Sequence, residues 1–123
     1  MSKKSSILIA EDDSEALDMM QGILEAQNYS VIRAKNGLEA VQKTKAQNPG
    51  LIIMDIMMPK LDGVEACRMI KATPDCKNIP ILVLTAKEQI GDADKAFEAG
   101  ADEYVQKPID WNRLLPQIKK ILA

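Results

Sequence analysis

The sequence contains no histidine and only two cysteines among its 123 residues. Without imidazole, the usual partner of cysteine in zinc sites and in thiol nucleophiles is missing, and the chain cannot itself carry phosphohistidine. Cys67 and Cys76 are too few for a disulfide framework and read as reduced thiols, Cys67 in the core and Cys76 in a loop. An excess of one charge is lacking too. Sixteen basic and 18 acidic residues leave a net charge of −2, which gives no standing attraction to nucleic acid or to anionic lipid. The apolar runs span only a handful of residues, too short to cross a bilayer, and the opening MSKKSS has no apolar stretch of the signal-peptide kind. A cytoplasmic protein with no membrane insertion and no direct nucleic-acid binding is expected. Repeats, low-complexity tracts and internal linkers are absent as well. The 123 residues, with 46% hydrophobic content, are therefore expected to form one domain, residues 1–123.

What the sequence does contain is alternation. Five short runs rich in β-branched or aliphatic residues read as strands: SILIA (6–10), SVIRA (30–34), LIIM (51–54), PILVLT (80–85) and EYVQ (103–106). Between them lie helical patterns. The clearest places Ala16, Leu17, Met20, Ile23 and Leu24 on one face, with Ser14 as its N-cap. Leu38, Val41 and Lys45 mark a second helix that must stop before Asn48-Pro49-Gly50. Val64, Cys67 and Ile70 mark a third, and Ile90, Ala93 and Phe97 a fourth, closed by Gly100 in a left-handed cap. A last helix after an Asp110 cap carries Leu114, Leu115, Ile118, Ile121 and Leu122 inward, but Pro116 leaves two options, a kink or a later start.

Near-continuous apolar strands separated by helices imply a parallel sheet with both faces covered, joined by right-handed crossovers, with the first, third and fourth strands central. In such a sheet every strand points the same way, so the residues that follow the strands meet at one rim. Those residues are Glu11-Asp12-Asp13, Asp55, Thr85 and Lys107-Pro108. Crowded carboxylates stay ionised only if a cation is shared among them, and an all-oxygen set favours a hard ion such as Mg²⁺, which commonly bridges carboxylates to phosphate. Lys107 can pair with that phosphate, Thr85 can donate a hydroxyl to it, and Asp55 is placed as a nucleophile.

The motifs ILIAEDD, MDIMMPKLDG, LVLTA and EYVQKP, in this order over the whole chain, resemble those of bacterial two-component response-regulator receiver domains. The resemblance implies the flavodoxin-like (βα)5 fold, a five-stranded parallel sheet of order 2-1-3-4-5 with helices on both faces. It also implies the roles. Asp12 is a direct metal ligand, Glu11 acts mainly through water, Asp55 accepts the phosphoryl group and binds metal, and the main-chain carbonyl of Met57 is a further ligand. Thr85 is the switch hydroxyl, Lys107 the phosphate counter-ion, Pro108 follows a cis bond, and Tyr104 is the aromatic switch partner. The implied cofactor is Mg²⁺, with Mn²⁺ as a substitute. The implied partners are a sensor histidine kinase or histidine phosphotransfer protein and a downstream protein target that reads the surface of the fourth helix, fifth strand and fifth helix. Met57 and Lys87 are expected to tune hydrolysis. The protein is then not a turnover enzyme but a switch that catalyses only its own phosphorylation and dephosphorylation.

Plainer readings stand beside these. Asp13 serves a helix start, Asp62-Gly63 a turn, and Tyr104 could be a half-buried β residue. Met57, Met58 and the other methionines read as core filler, and Trp111 as either a partner contact or packing against the preceding loop. A scaffold of the same fold that binds partners without phosphorylation is the main rival. A magnesium phosphatase with an aspartyl nucleophile is a second, although Met57 stands where its general acid would be. Nucleotide binding is disfavoured because no Gly-rich loop follows the first strand. The chain stops where the last helix stops, which fits either a single-domain regulator or a receiver excised from a larger protein.

Overall fold

The computed structural model describes residues 6–58, 60–86 and 90–123, with the side chains at 90, 92 and 93 left out. Among the described residues strands and helices alternate: β1 (Ser6–Ala10), α1 (Ser14–Ala26), β2 (Ser30–Ala34), α2 (Gly37–Gln47), β3 (Leu51–Asp55), α3 (Gly63–Lys71), β4 (Ile81–Thr85), α4 (Ile90–Glu98), β5 (Glu103–Gln106) and α5 (Trp111–Ile121). The five strands are all parallel and ordered β2-β1-β3-β4-β5. This is the flavodoxin-like order, and the three most apolar strands are the central ones.

The apolar runs have no polar alternation because the sheet has two covered faces. Leu8, Ala10, Ile52, Met54, Ile81 and Val83 pack with residues of α2, α3 and α4, whereas Ile7, Ile9, Leu51, Ile53, Leu82 and Leu84 pack with α1 and α5. Successive residues of a strand point to opposite faces, so each central strand feeds both cores. Each fully buried aliphatic side chain contributes roughly 1.5–3 kcal/mol.

Side-chain caps fix where the helices begin. Asp13, Asn36, Asp62 and Asp110 are extended N-cap residues whose side chains accept backbone N–H bonds from the first turn. Two assignments from the sequence change here. The cap of α1 is Asp13, with Ser14 already inside the helix. Asp62-Gly63 is a helix start, cap plus first residue of α3, and not a free-standing turn. Gly100, at φ +110°, follows α4, and any Cβ there would press on the Lys71 side chain. Helix α5 runs from the Asp110 cap straight through Pro116. Proline cannot donate to the carbonyl of Asn112, but Asn112 is exposed, so water can take that bond.

Burial revises several plain readings. Met57 is 57% exposed and Met19 56%, so neither fills the core, and Met69 is exposed as well. Cys76 is buried in the core cluster although it lies in a loop. Phe97 is exposed, and the buried residue of that helix turn is Ala96. Trp111 is half-buried and packs on the α1–α5 side of the sheet. Among the described residues, no helix is long and apolar enough to cross a membrane.

Candidate functional site

Each group at the rim is carried there by a strand end whose backbone is tied to a neighbour. The N–H of Glu11 extends the β1 ladder to the carbonyl of Ala34 at 3.0 Å, and the side chain of Glu11 turns back to accept from the N–H of Asp13 at 3.2 Å. Asp55 is the last residue of β3, paired in register with Leu84, and the next N–H, that of Ile56, donates to the Leu84 carbonyl. Gly63 packs directly behind it. A Cβ on Gly63 would stand 2.6 Å from the Asp55 carbonyl oxygen and 2.8 Å from Ile56 Cα, so only glycine allows α3 to start this close to β3. The N–H of Lys107 donates to the carbonyl of Thr85, which sets the end of β5 against the end of β4.

The side chains then meet. Carboxylate oxygens of Glu11, Asp12 and Asp55 all lie within 4.8 Å of one another. Lys107 Nζ donates to Asp55 Oδ2 at 2.6 Å and stands 3.6 Å from Glu11 Oε1. The second oxygen of Asp55, Oδ1, accepts from the N–H of Met57 at 3.2 Å. Glu11 and Asp55 are 4% exposed, while Asp12 is open to solvent. Thr85 is fully buried at the tip of β4, with its hydroxyl donating to the Ala86 carbonyl at 3.1 Å. Tyr104 points outward at 42% exposure, its ring edge-on to Phe97 at 5.6 Å between centroids. The Lys107–Pro108 peptide bond is cis. Lys87 lies outside the described residues.

Three carboxylates against one ammonium leave the cluster two negative charges in excess. Burial, followed by the charge of Asp55, pushes the Glu11 carboxyl up from 4.5 to about 7. Burial by itself would lower the Lys107 ammonium, but its hydrogen bond to Asp55 and the charges of Asp55 and Glu11 outweigh it and hold Lys107 above its ordinary value. Two acids that resist joint ionisation, together with an exposed third, form an all-oxygen donor set that suits a hard divalent cation. From sequence, Asp62-Gly63 read as a turn in a loop that the resembled family uses to shape the site, but the close approach of Gly63 to the Asp55 backbone was not foreseen. Its signal, a glycine immediately after a capping Asp and eight residues past Asp55, is common enough to be read as an ordinary turn.

Residues 7–119 match the model of the response regulator receiver domain. The chain belongs to that family. Response regulator MprA of Mycobacterium leprae is 37% identical over 116 residues, which are 94% of this chain and 50% of that protein. This receiver domain thus spans about half the length of the curated relatives it matches. Among solved structures, the receiver domain of a sensor histidine kinase from Pseudomonas aeruginosa, with a magnesium ion coordinated in its active-site cleft, superposes with a TM-score of 0.88 at 30% identity, covering 95% of this chain and 96% of that one. The receiver domain of the Saccharomyces cerevisiae response regulator Ssk1, crystallised with the histidine phosphotransfer protein Ypd1, gives 0.84 at 30% identity over 94% of this chain and 86% of that one. Receiver domains of this kind are signalling modules of two-component systems, and they bind Mg²⁺ at an acidic site.

Proposed function

We propose that Asp55 accepts a phosphoryl group from a sensor histidine kinase or a histidine phosphotransfer protein, and that the modified domain presents an altered α4–β5–α5 surface to a downstream protein. The observation that carries this reading is the contact between Lys107 Nζ and Asp55 Oδ2 at 2.6 Å inside a cluster of three carboxylates. The lysine holds the acceptor at the rim and supplies the charge that an incoming phosphoryl group needs.

Asp12 and Asp55 would hold Mg²⁺ directly, with Glu11 acting through water and the Met57 carbonyl adding a ligand; Mn²⁺ would serve in its place. When bound, the ion neutralises phosphoryl oxygens and lets all three carboxylates stay ionised. The protein residues do the rest by position. Met57 N–H fixes one oxygen of Asp55, which leaves the other to form the new bond in line with the departing nitrogen of phosphohistidine. Lys107 passes from the carboxylate to a phosphoryl oxygen. Thr85 exchanges the Ala86 carbonyl for another, and Tyr104 turns inward from its exposed position beside Phe97. Met57, exposed beside the acceptor, controls water access and therefore the rate of hydrolysis. To convert a domain that is almost wholly inactive into one almost wholly active, the phosphoryl group must favour the second state by roughly 5 kcal/mol.

The test is intact-mass measurement after incubation with Mg²⁺ and acetyl phosphate. A single added phosphoryl mass, absent in Asp55→Asn and in chelator, is the expected outcome. An unmodified mass under all conditions would return the domain to the role of a phosphorylation-independent scaffold.

A further inference from the structure

A groove of about 360 Å³ leads from the rim outward between α1 and the chain that joins β5 to α5. Its walls are apolar: Ala16 and Met19 on α1, Ile109 and Trp111 beyond the cis bond. Its inner end is formed by Glu11 and Lys107. Lys107 therefore belongs to two places, since its ammonium touches Asp55 and the residue also lines the groove. Met19 is the exposed exception on α1, where Leu17, Met20 and Leu24 are all buried in the sheet. A groove that meets the rim where Lys107 stands beside Glu11 and Asp55, and that has hydrocarbon along its walls, suits a small donor whose phosphoryl group lies at the rim and whose remainder is apolar.

We propose that this groove is a leaving-group subsite for small-molecule donors, which takes the apolar portion of an acyl phosphate whose phosphoryl group lies at Asp55. The inference rests on the phosphoacceptor reading of Asp55 and adds a preference among donors. An Asp55 carboxylate oxygen forms the new O–P bond while the bond from phosphorus to the acyl oxygen breaks. The electron pair leaves with the carboxylate product, no proton moves and total charge is conserved. The departing carboxylate develops its charge beside Lys107, and its apolar remainder removes water from Met19, Ile109 and Trp111. Covering about half the surface of a phenyl ring in this way corresponds to roughly tenfold in binding.

The experiment compares Asp55 labelling by acetyl phosphate and benzoyl phosphate at equal sub-saturating concentrations with Mg²⁺, followed by intact mass. Benzoyl phosphate should label about tenfold faster. In Met19→Ser, which removes an exposed apolar wall without adding charge, the benzoyl-to-acetyl ratio should fall at least about threefold while the acetyl phosphate rate stays unchanged. Trp111, the single tryptophan, gives a readout independent of transfer. Benzylphosphonate, which cannot donate its phosphorus, should shift Trp111 emission, and methylphosphonate at the same concentration should not. Equal rates for the two acyl phosphates, a preference that survives Met19→Ser, or an unchanged emission would overturn the subsite and leave the groove to a protein donor alone. Labelling by neither donor would overturn the phosphoacceptor reading, and the subsite with it.

Discussion

β3 and β5 deliver groups to the same rim, yet they are built in opposite ways. All five residues of β3 are buried between β1 and β4, whereas β5 is an edge strand with Glu103, Tyr104 and Gln106 exposed and only Val105 half-buried. The Asp55 carboxylate thus stands on a frame clamped by strand pairs on both sides, by Gly63 from behind and by the Met57 N–H. The lysine that faces it comes from a strand held on one side only, next to an outward-facing tyrosine. A firmly framed carboxylate next to an edge paired on one side suits the proposed switch, because small changes at the rim can be absorbed only where packing allows alternatives.

The contrast is sharpest in stability. Ile53→Ala opens a cavity between two packed elements and should cost about 4 kcal/mol in urea unfolding, while Tyr104→Ala, on the exposed strand, should cost under about 1 kcal/mol. Similar losses for the two would erase the distinction.

The next effect is electrostatic and belongs to the rigid side. In the folded, metal-free protein the Glu11 carboxyl titrates near 7 against 4.5 for the free group. A raised carboxyl stabilises the fold relative to its ionised form, so its contribution is present in full below about pH 4.5 and is lost as pH rises through 7. The loss should reach up to about 3 kcal/mol. Thermal unfolding in chelator should show that slope, Glu11→Gln should flatten it, and saturating Mg²⁺ should abolish it. A metal-free stability that rises between pH 5 and pH 8 would mean the acids are not crowded.

Gly63→Ala tests the clamp from behind. Its Cβ would meet backbone, not a flexible side chain, and should cost about 2 kcal/mol while slowing acetyl phosphate labelling of Asp55. A variant of full stability and full rate would show that β3 needs no such support. The smallest effect should be a gain. Thr44 Oγ1 is buried in α2 and has no hydrogen-bond partner among the described residues, so Thr44→Val should stabilise by about 1 kcal/mol in the same urea assay.

The same contrast explains what could be read in the sequence. The central strands were legible because buried strands need apolar residues at nearly every place, so Glu11-Asp12, Asp55 and Thr85 stood out as polar ends of those runs, whereas β5 and Lys107 were placed by β-branched and aromatic content and by the alternation of the chain. Apolarity placed the first, third and fourth strands at the centre, and the full order 2-1-3-4-5 came from the resemblance to receiver domains. Details set by one backbone angle or by three-dimensional neighbours were not legible. Asp13 and Ser14 are both good caps, and only the extended φ of −82° and ψ of 113° at Asp13 decide between them. Met57 and Met58 look alike in sequence, but the first is exposed while the second is partly buried against the core. Phe97 fits the helical period of α4 yet lies outward against Tyr104, since a period fixes a face and not what covers it.

Amide hydrogen exchange, with and without acetyl phosphate in the presence of Mg²⁺, separates the two halves directly. Phosphorylation of Asp55 should alter protection in β5 and in the described part of α4, and leave β1 and β3 unchanged apart from the residues next to Glu11 and Asp55. Protection that changes along the whole of β3 while β5 stays as it was, in protein shown by mass to carry the phosphoryl group, would contradict the division between a fixed acceptor and a responsive edge.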